Sequence, residues 1–335
     1  YAAQPSRGRL SAFGIFYGLG LALHWPLVVL SSPGLVFLLL PRWKEILRDW
    51  RTLLISVAPT AIVPYVWMVA RSNMNPLISF YGPIRSIGEF VFFFLRQGFR
   101  EVDTSQSAGL IDKLLFERFL LLQMIWQYTL IGAALAITGI WLQWKRFTVG
   151  TSLAWLMIWF SSSLLLGSLL AFDYEPLMQS VITVYPLIPY GVMAIWIAVA
   201  LEAGFSRWVR SQTAKILIVA CLVAAVGIVN YGSNQRKDDT WPRDYAEAVL
   251  SSLDKDAILF TNGDQDAFPL GYFNLVEGMR PDVTLYNDQG LAFANRLYRF
   301  DAPDRSAILD DFTRRSKRPV YFILPNAYRF STQDG

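Results

Sequence analysis

Long apolar runs alternate with short basic clusters over residues 10–231, and from residue 232 the pattern changes to short stretches of mixed charged and apolar residues. A membrane-spanning helix needs about 20 predominantly apolar residues. Runs at roughly 52–70, 119–143, 149–171 and 181–202 reach that length, and a fifth at 214–231 is slightly short. Residues 10–40 form a longer run, broken by Pro26 and Pro33. At about 1.5 Å per residue it exceeds one crossing, and proline removes helical hydrogen bonds.

The basic clusters orient these runs by the positive-inside rule. Arg42, Lys44, Arg48 and Arg51 mark one inner loop, Lys145 and Arg146 a second, and Arg207, Arg210 and Lys215 a third, whereas the loop after 171 carries Asp173 and Glu175. Arg7 and Arg9 precede the first run. If they too are inside, residues 10–40 enter and return as a hairpin with its tip near His24 and Pro26, which brings the count to about seven membrane segments. Residues 72–114 and the region after 231 then share the outer face.

Composition supports two environments in one chain. With 54% hydrophobic and 17% charged residues, the chain is poorer in charge than soluble domains usually are. The expected fold class is a polytopic α-helical membrane domain, residues 1–231, followed by a small α/β soluble domain, residues 232–335. The net charge of +4 sits beside apolar runs rather than along one stripe, so no nucleic-acid partner is expected. Cys221 is the only cysteine, which excludes an internal disulfide or a cysteine metal site. The chain opens on Tyr1 and closes on Gly335, and both ends read as cuts within a longer protein.

Within the outer loop, residues 84–95 have an apolar face suited to lying in the membrane interface. Arg85, Arg96 and Arg100 then sit near headgroup level, as carrier contacts or as ordinary snorkelling side chains.

In the soluble part, Pro242 begins an amphipathic helix with Tyr245, Ala246, Val249, Leu250 and Leu253 at helical spacing. Residues 257–261, 283–287 and 320–324 are short β-branched and aromatic runs separated by helix-compatible stretches, the pattern of a small parallel sheet. After the first strand comes TNGDQDAFP at 261–269, where ligand sites gather in such folds. Asp264 and Asp266 could bind a divalent cation or sugar hydroxyls. They equally suit turn chemistry and the cap of a helix beginning near Pro269. Arg280 reads as a pairing partner for a nearby aspartate.

The segments AILFTNGDQDAFPL at 257–270 and VEGMRPDV at 276–283 resemble the domain-of-unknown-function 2723 family, the transmembrane-protein-260-like O-mannosyltransferases of the GT-C glycosyltransferase superfamily. Looser matches lie in the membrane part: the glycine-rich stretch from Gly18 to His24, Arg71 with Asn75 and Pro76, Tyr81 to Pro83, and Arg96 with Phe99. Val69 and Ala70 stand where the family has Pro-x before the arginine.

The resemblance implies a GT-C-like membrane enzyme that transfers a sugar from a polyprenyl-phosphate donor to a protein or glycan acceptor on the external face. A bacterial inner-membrane location would put the C-terminal domain in the periplasm. It implies contact with membrane lipid and other membrane subunits. A catalytic acidic residue would lie in a loop before Tyr1, so no catalytic residue is assigned. Arg71 is the leading candidate for the carrier phosphate, since a guanidinium stabilises charge on a leaving phosphate, although it could equally anchor a helix end. His24 is the second, as a donor to phosphate or sugar or to backbone freed by Pro26. Arg85 and Arg96 rank third. The competing expectation is a non-catalytic subunit or scaffold whose soluble domain binds a protein; a transporter is disfavoured by the lack of paired acidic residues in the apolar runs.

Overall fold

The computed structural model describes residues 5–74, 76–79, 82–97, 107–299 and 302–323. Asn75, Tyr81, Phe99, Arg100 and Leu324 lie outside them. The chain divides into two compact units, one formed by residues 1–65 and 98–235 and the other by residues 66–97 and 236–335.

Among the described residues, six helical stretches are long and apolar enough to cross a membrane: Arg7–Arg48, Trp50–Ser72, Leu110–Arg146, Val149–Leu169, Leu187–Trp208 and Gln212–Asn234. The first contains α1 (Arg7–Leu39) and the short α2 (Trp43–Arg48). Within α1 the backbone leaves helical geometry at His24, with φ −156° and ψ 74°. The Tyr17 and Ser32 hydroxyls nevertheless meet at 2.8 Å. The two halves therefore fold against each other, because 15 residues of straight helix would separate those side chains by about 22 Å.

α3 (Trp50–Ser72) runs parallel to the first half of α1. Arg7 Nε donates to Asp49 at 2.9 Å, the Ser11 and Ser56 hydroxyls lie 2.8 Å apart, and Tyr65 donates to the Leu21 carbonyl at 3.1 Å. Gly18 faces Thr60, where a Cβ would come within 2.1 Å of the hydroxyl. Small residues at such crossings let transmembrane backbones approach closely. Arg7 first, helped by Arg48, holds the Asp49 carboxyl below the usual range.

After α4 (Ile87–Phe94), α5 (Leu110–Arg146) packs on α8 (Leu187–Trp208), with Gly139 against the Trp196 backbone. Around this crossing Met124, Ala136, Ile158, Val192, Met193 and Trp196 form a buried cluster. α6 (Val149–Phe160) continues through a π turn at Ser161–Leu165 into a last turn at Leu166–Leu169. Ser162 and Ser163 there donate to the Ile158 and Trp159 carbonyls, the back-bonding that distorts helices. α7 (Pro176–Ile182) precedes α8, and α9 (Gln212–Asn234) follows it.

The second unit is a parallel α/β layer structure. It contains α10 (Trp241–Ser252), β1 (Ile258–Thr261), α11 (Asp264–Gly271), β2 (Thr284–Asn287), α12 (Arg305–Arg315) and β3 (Val320–Phe322). The strand order is β2-β1-β3, both pairings parallel, with Leu259 opposite Leu285 and Tyr321 and Phe260 opposite Tyr286 and Phe322. Alternation sends Leu259 and Leu285 into the core with Ala246, Leu250, Ala267 and Leu270 of α10 and α11. It sends Phe260 to the other face, stacked between Tyr286 at 5.2 Å and Phe322 at 5.0 Å and edge-on to Phe312 of α12. Helices thus cover both faces, as parallel strands require.

α11 begins at Asp264 rather than near Pro269, and Pro269 lies inside it. Its N-cap is Gly263, with no side-chain cap, so neither Asn262 nor Asp264 plays the capping role. Pro269 is tolerated because it falls early, where its missing N–H forfeits one bond, to the Gln265 carbonyl. A π turn at Tyr272–Val276 then closes the helix.

Candidate functional site

The two ends of the parallel sheet are built differently. At the amino ends of the strands the Arg280 guanidinium forks onto Asp282 at 2.9 and 2.8 Å and donates to the carbonyls of Leu250, Leu253 and Asp254. Arg318 does the same for Asp256, Ala257 and Asp282 and adds Thr284 Oγ1. These bonds close off the last carbonyls of α10 and the strand starts. Arg280 holds the Asp282 carboxyl well below its usual range. With all five Arg280 donors spent on carbonyls and Asp282, this end is structural.

The carboxyl ends carry groups with capacity left. Asn262 Nδ2 donates to Asp288 Oδ2 at 2.6 Å, joining the ends of β1 and β2. Asn287 donates to the Thr261 and Asn262 carbonyls and accepts from the Gln289 and Leu291 amides, which shapes the turn after β2. Asp288 Oδ1 is buried with no hydrogen-bond partner, and burial pushes this carboxyl up. Asp264 and Asp266 share the first turn of α11. Partial desolvation also raises Asp264. Tyr245 of α10 donates to Asp266 Oδ1 at 2.7 Å. Among the described residues no three acidic, histidine or cysteine side chains converge as a metal-binding group.

The described segment 76–79 and 82–97 is stitched into this same unit. Ile78 and Phe293 form an antiparallel bridge, with Ser79 N–H donating to Ala292 at 2.9 Å and Ala294 N–H to Leu77 at 3.1 Å. Arg296 donates to the Ser79 carbonyl at 2.8 Å, and Gly82, at φ 70°, lies where any Cβ would strike its guanidinium. Glu89 caps α4 by accepting from the Arg85 and Ser86 amides at 2.5 and 3.3 Å, and its other oxygen accepts from Arg299 at 2.6 Å. The Arg85 amide and Arg299 hold its carboxyl low. Both oxygens are occupied, so Glu89 is a structural acid rather than a free base.

Two of the expected arginines sit beside a loop contact at the end of α3. Ser72 Oγ accepts from the Ile84 amide at 3.1 Å, and Asn73 Nδ2 donates to the Ile84 carbonyl at 3.0 Å. Arg71 in the last turn of α3 and Arg85 immediately after Ile84 therefore flank one closed loop, and both are exposed. Arg96 follows α4 with φ 55°, on the far side of that helix from Arg85 in sequence. His24 belongs to the first unit, at the bend of α1, where its ring lies edge-on to Tyr185 at 5.7 Å. That unit also holds a largely apolar cavity of about 440 Å³ between α5, α8 and α9, lined by Tyr128, Leu135, Ile197, Val223 and Glu202 among others.

Asp288 and Tyr245 were not among the expected site residues. The signal for Asp288 was its place directly after the second strand; for Tyr245 nothing local distinguishes a phenol facing a carboxylate from one in the core.

The architecture defines an integral membrane protein with a small parallel α/β unit. Residues 242–294 match the family described as TMEM260-associated domain 2. The chain is similar to mouse "Protein O-mannosyl-transferase TMEM260", 24% identical over 315 residues that cover 87% of this chain and 43% of the relative. It thus spans under half the length of that curated relative. No solved structure matches the chain.

Proposed function

We propose that this chain is part of a GT-C-type membrane glycosyltransferase that moves a sugar from a polyprenyl-phosphate donor to a protein or glycan acceptor on the external face. The observation that carries this reading is the similarity to an O-mannosyl-transferase across 87% of the chain. Arg71 and Arg85, which adjoin the Ser72 and Ile84 contact in sequence, are the candidate residues for the carrier phosphate. As the sugar leaves, charge accumulates on the carrier phosphate, and two guanidiniums at the end of a membrane helix stabilise it by charge-assisted hydrogen bonds. The exposed Ile87 and Val91 of α4 and Leu95 just after it suit a helix lying in the lipid interface, with Arg85 and Arg96 as headgroup contacts. His24 is a separate candidate donor in the first unit. A divalent cation, if used, would meet the Asp264 carboxylate.

The basic clusters beside the apolar runs favour an inward position for those loops and an outward one for the soluble unit, the periplasm in a bacterium. The test is acceptor-dependent release of polyprenyl phosphate by the purified full-length protein supplied with polyprenyl-phosphate sugars. Turnover in the parent, with a loss of at least ~10-fold in Arg71→Ala (about 1.4 kcal/mol of transition-state stabilisation), is the expected result. A folded protein inert with every carrier would overturn the reading in favour of a scaffold, and full activity in Arg71→Ala would remove that residue's role.

A further inference from the structure

Midway along α5 the backbone leaves helical geometry at Thr129, with φ 64° and ψ 170°, a region that favours glycine. Such a break is tolerated at membrane depth where it is buried in protein or lines a cavity. This one lines the cavity of about 440 Å³ between α5, α8 and α9. Asn230 of α9 donates to the Gln127 carbonyl at 3.3 Å and Tyr128 to the Tyr190 carbonyl at 2.8 Å, and these bonds tie the three helices together at that end. From there the cavity follows α8 from Ala194 to Phe205, about 17 Å of helix. Apart from Tyr128, Thr129 and Glu202, its lining residues are Gly132, Phe205 and aliphatics. α9 buries none of its residues fully, which is why a gap remains between it and the other two helices.

The other end of the cavity is basic. A shallower recess shares Phe205, Val219 and Val223 with it and is lined by Gln212 and Lys215, in the first turn of α9. Glu202 is the one acidic side chain lining either space among the described residues, and Arg146 pairs with it. Arg207 in the last turn of α8 and Arg210 in the connection to α9 add positive charge at the same end, as does the amino terminus of α9 through its helix dipole. We propose that this seam binds a glycerophospholipid with an anionic headgroup. One acyl chain fills the cavity, the second lies in the recess, and the phosphate meets Lys215 at the start of α9. The length of the cavity is that of one leaflet, half of the ~30 Å hydrocarbon core. A further helix is too thick for it: 440 Å³ spread over about 17 Å is a cross-section of about 26 Å², against ~80 Å² for a helix 10 Å across. The proposal concerns the membrane unit alone and holds whether or not the chain transfers a sugar.

The test is photo-crosslinking of the purified full-length protein in phosphatidylcholine nanodiscs. The probes are phosphatidylglycerol and phosphatidylcholine carrying a diazirine in one acyl chain, and labelled peptides are read by mass spectrometry. The phosphatidylglycerol probe should label residues 194–205 and 219–226 saturably, and unlabelled phosphatidylglycerol should compete where added phosphatidylcholine does not. Lys215→Ala should raise the half-saturating fraction about fivefold, the equivalent of the ~1 kcal/mol of one basic residue at a lipid surface. Ala198→Trp, which fills the cavity and leaves every charge in place, should abolish the saturable labelling. If Ala198→Trp does not fold, Lys215→Ala and the competition decide. Equal labelling by the two probes overturns the proposal, since the seam would then accept any lipid, as does unchanged labelling in the variants. Absence of labelling at those residues overturns it in favour of a protein segment that covers the cavity.

Discussion

The hydroxyls of Tyr17 and Ser32 lie 2.8 Å apart across the bend at His24, and a Cβ on Gly20 would fall 2.9 Å from Val28. Both contacts are symmetric about the same bend. Cysteines at 20 and 28, with Cys221→Ala removing the native thiol, should therefore form a disulfide under mild oxidation, because a Cβ on Gly20 already meets the Val28 side chain and a disulfide joins Cβ atoms about 3.5–4.5 Å apart. Cleavage at an engineered protease site in the bend, followed by non-reducing electrophoresis, checks it. Two fragments that separate without reductant would refute the hairpin.

Gly139 has no room for a side chain. A Cβ there would fall 1.9 Å from the Trp196 carbonyl oxygen, a backbone atom that cannot rotate away. Gly139→Ala should cost about 1–3 kcal/mol through overpacking. Gly191, with nothing within 4 Å of its Cβ position, provides the contrast: Gly191→Ala should unfold with the parent in a thermal melt of the solubilised chain.

Phe260 is 1% exposed and lies at the centre of the aromatic ladder with Tyr286, Phe322 and Phe312. Truncation to alanine should remove about 3–5 kcal/mol, a large share of a small domain's stability. Faster hydrogen exchange and proteolysis across β1, β2 and β3 would report it. Normal protection in Phe260→Ala would show that α10 and α11 alone hold the sheet.

Burial raises the Asp288 carboxyl in the folded chain, so the folded state binds that proton more readily than the unfolded one. Stability is then lost as pH rises past the unfolded aspartate value near ~4 and the loss levels off above the raised folded value. Asp288→Asn stays neutral throughout and can still pair with Asn262. It should melt above the parent at neutral pH, and the difference should vanish below about pH 4. An equal or lower melting point at neutral pH would contradict the assignment.

The apolar helices and the parallel α/β unit were legible because each depends on local pattern: long runs such as 119–143 on one side, short runs such as 283–287 bounded by turn residues on the other. The start of α11 was misread because Pro269 looked like an opening residue, whereas the helix accommodates it one turn in. The pairings that build the candidate sites were hidden for another reason. Glu89 meets Arg299 across 210 positions and Asn262 meets Asp288 across 26, and nothing near Glu89 or Asn262 says which distant polar group will arrive. Arg71 and Arg85 were each visible as cations; the Ser72 and Ile84 bond between their chain neighbours was not.

The bridge between Ile78 and Phe293 has a consequence for the order in which the protein can be made. Its first strand-like segment is synthesised before four of the apolar helices and its second after them, so the segment must wait, unpaired, while the ribosome completes the intervening chain. The soluble unit can close only near the end of translation. Its completion therefore depends on insertion: a chain that missed one of those four crossings would leave residues 77–79 and 292–294 on opposite sides of the bilayer, and the Ile78–Phe293 bridge could not form.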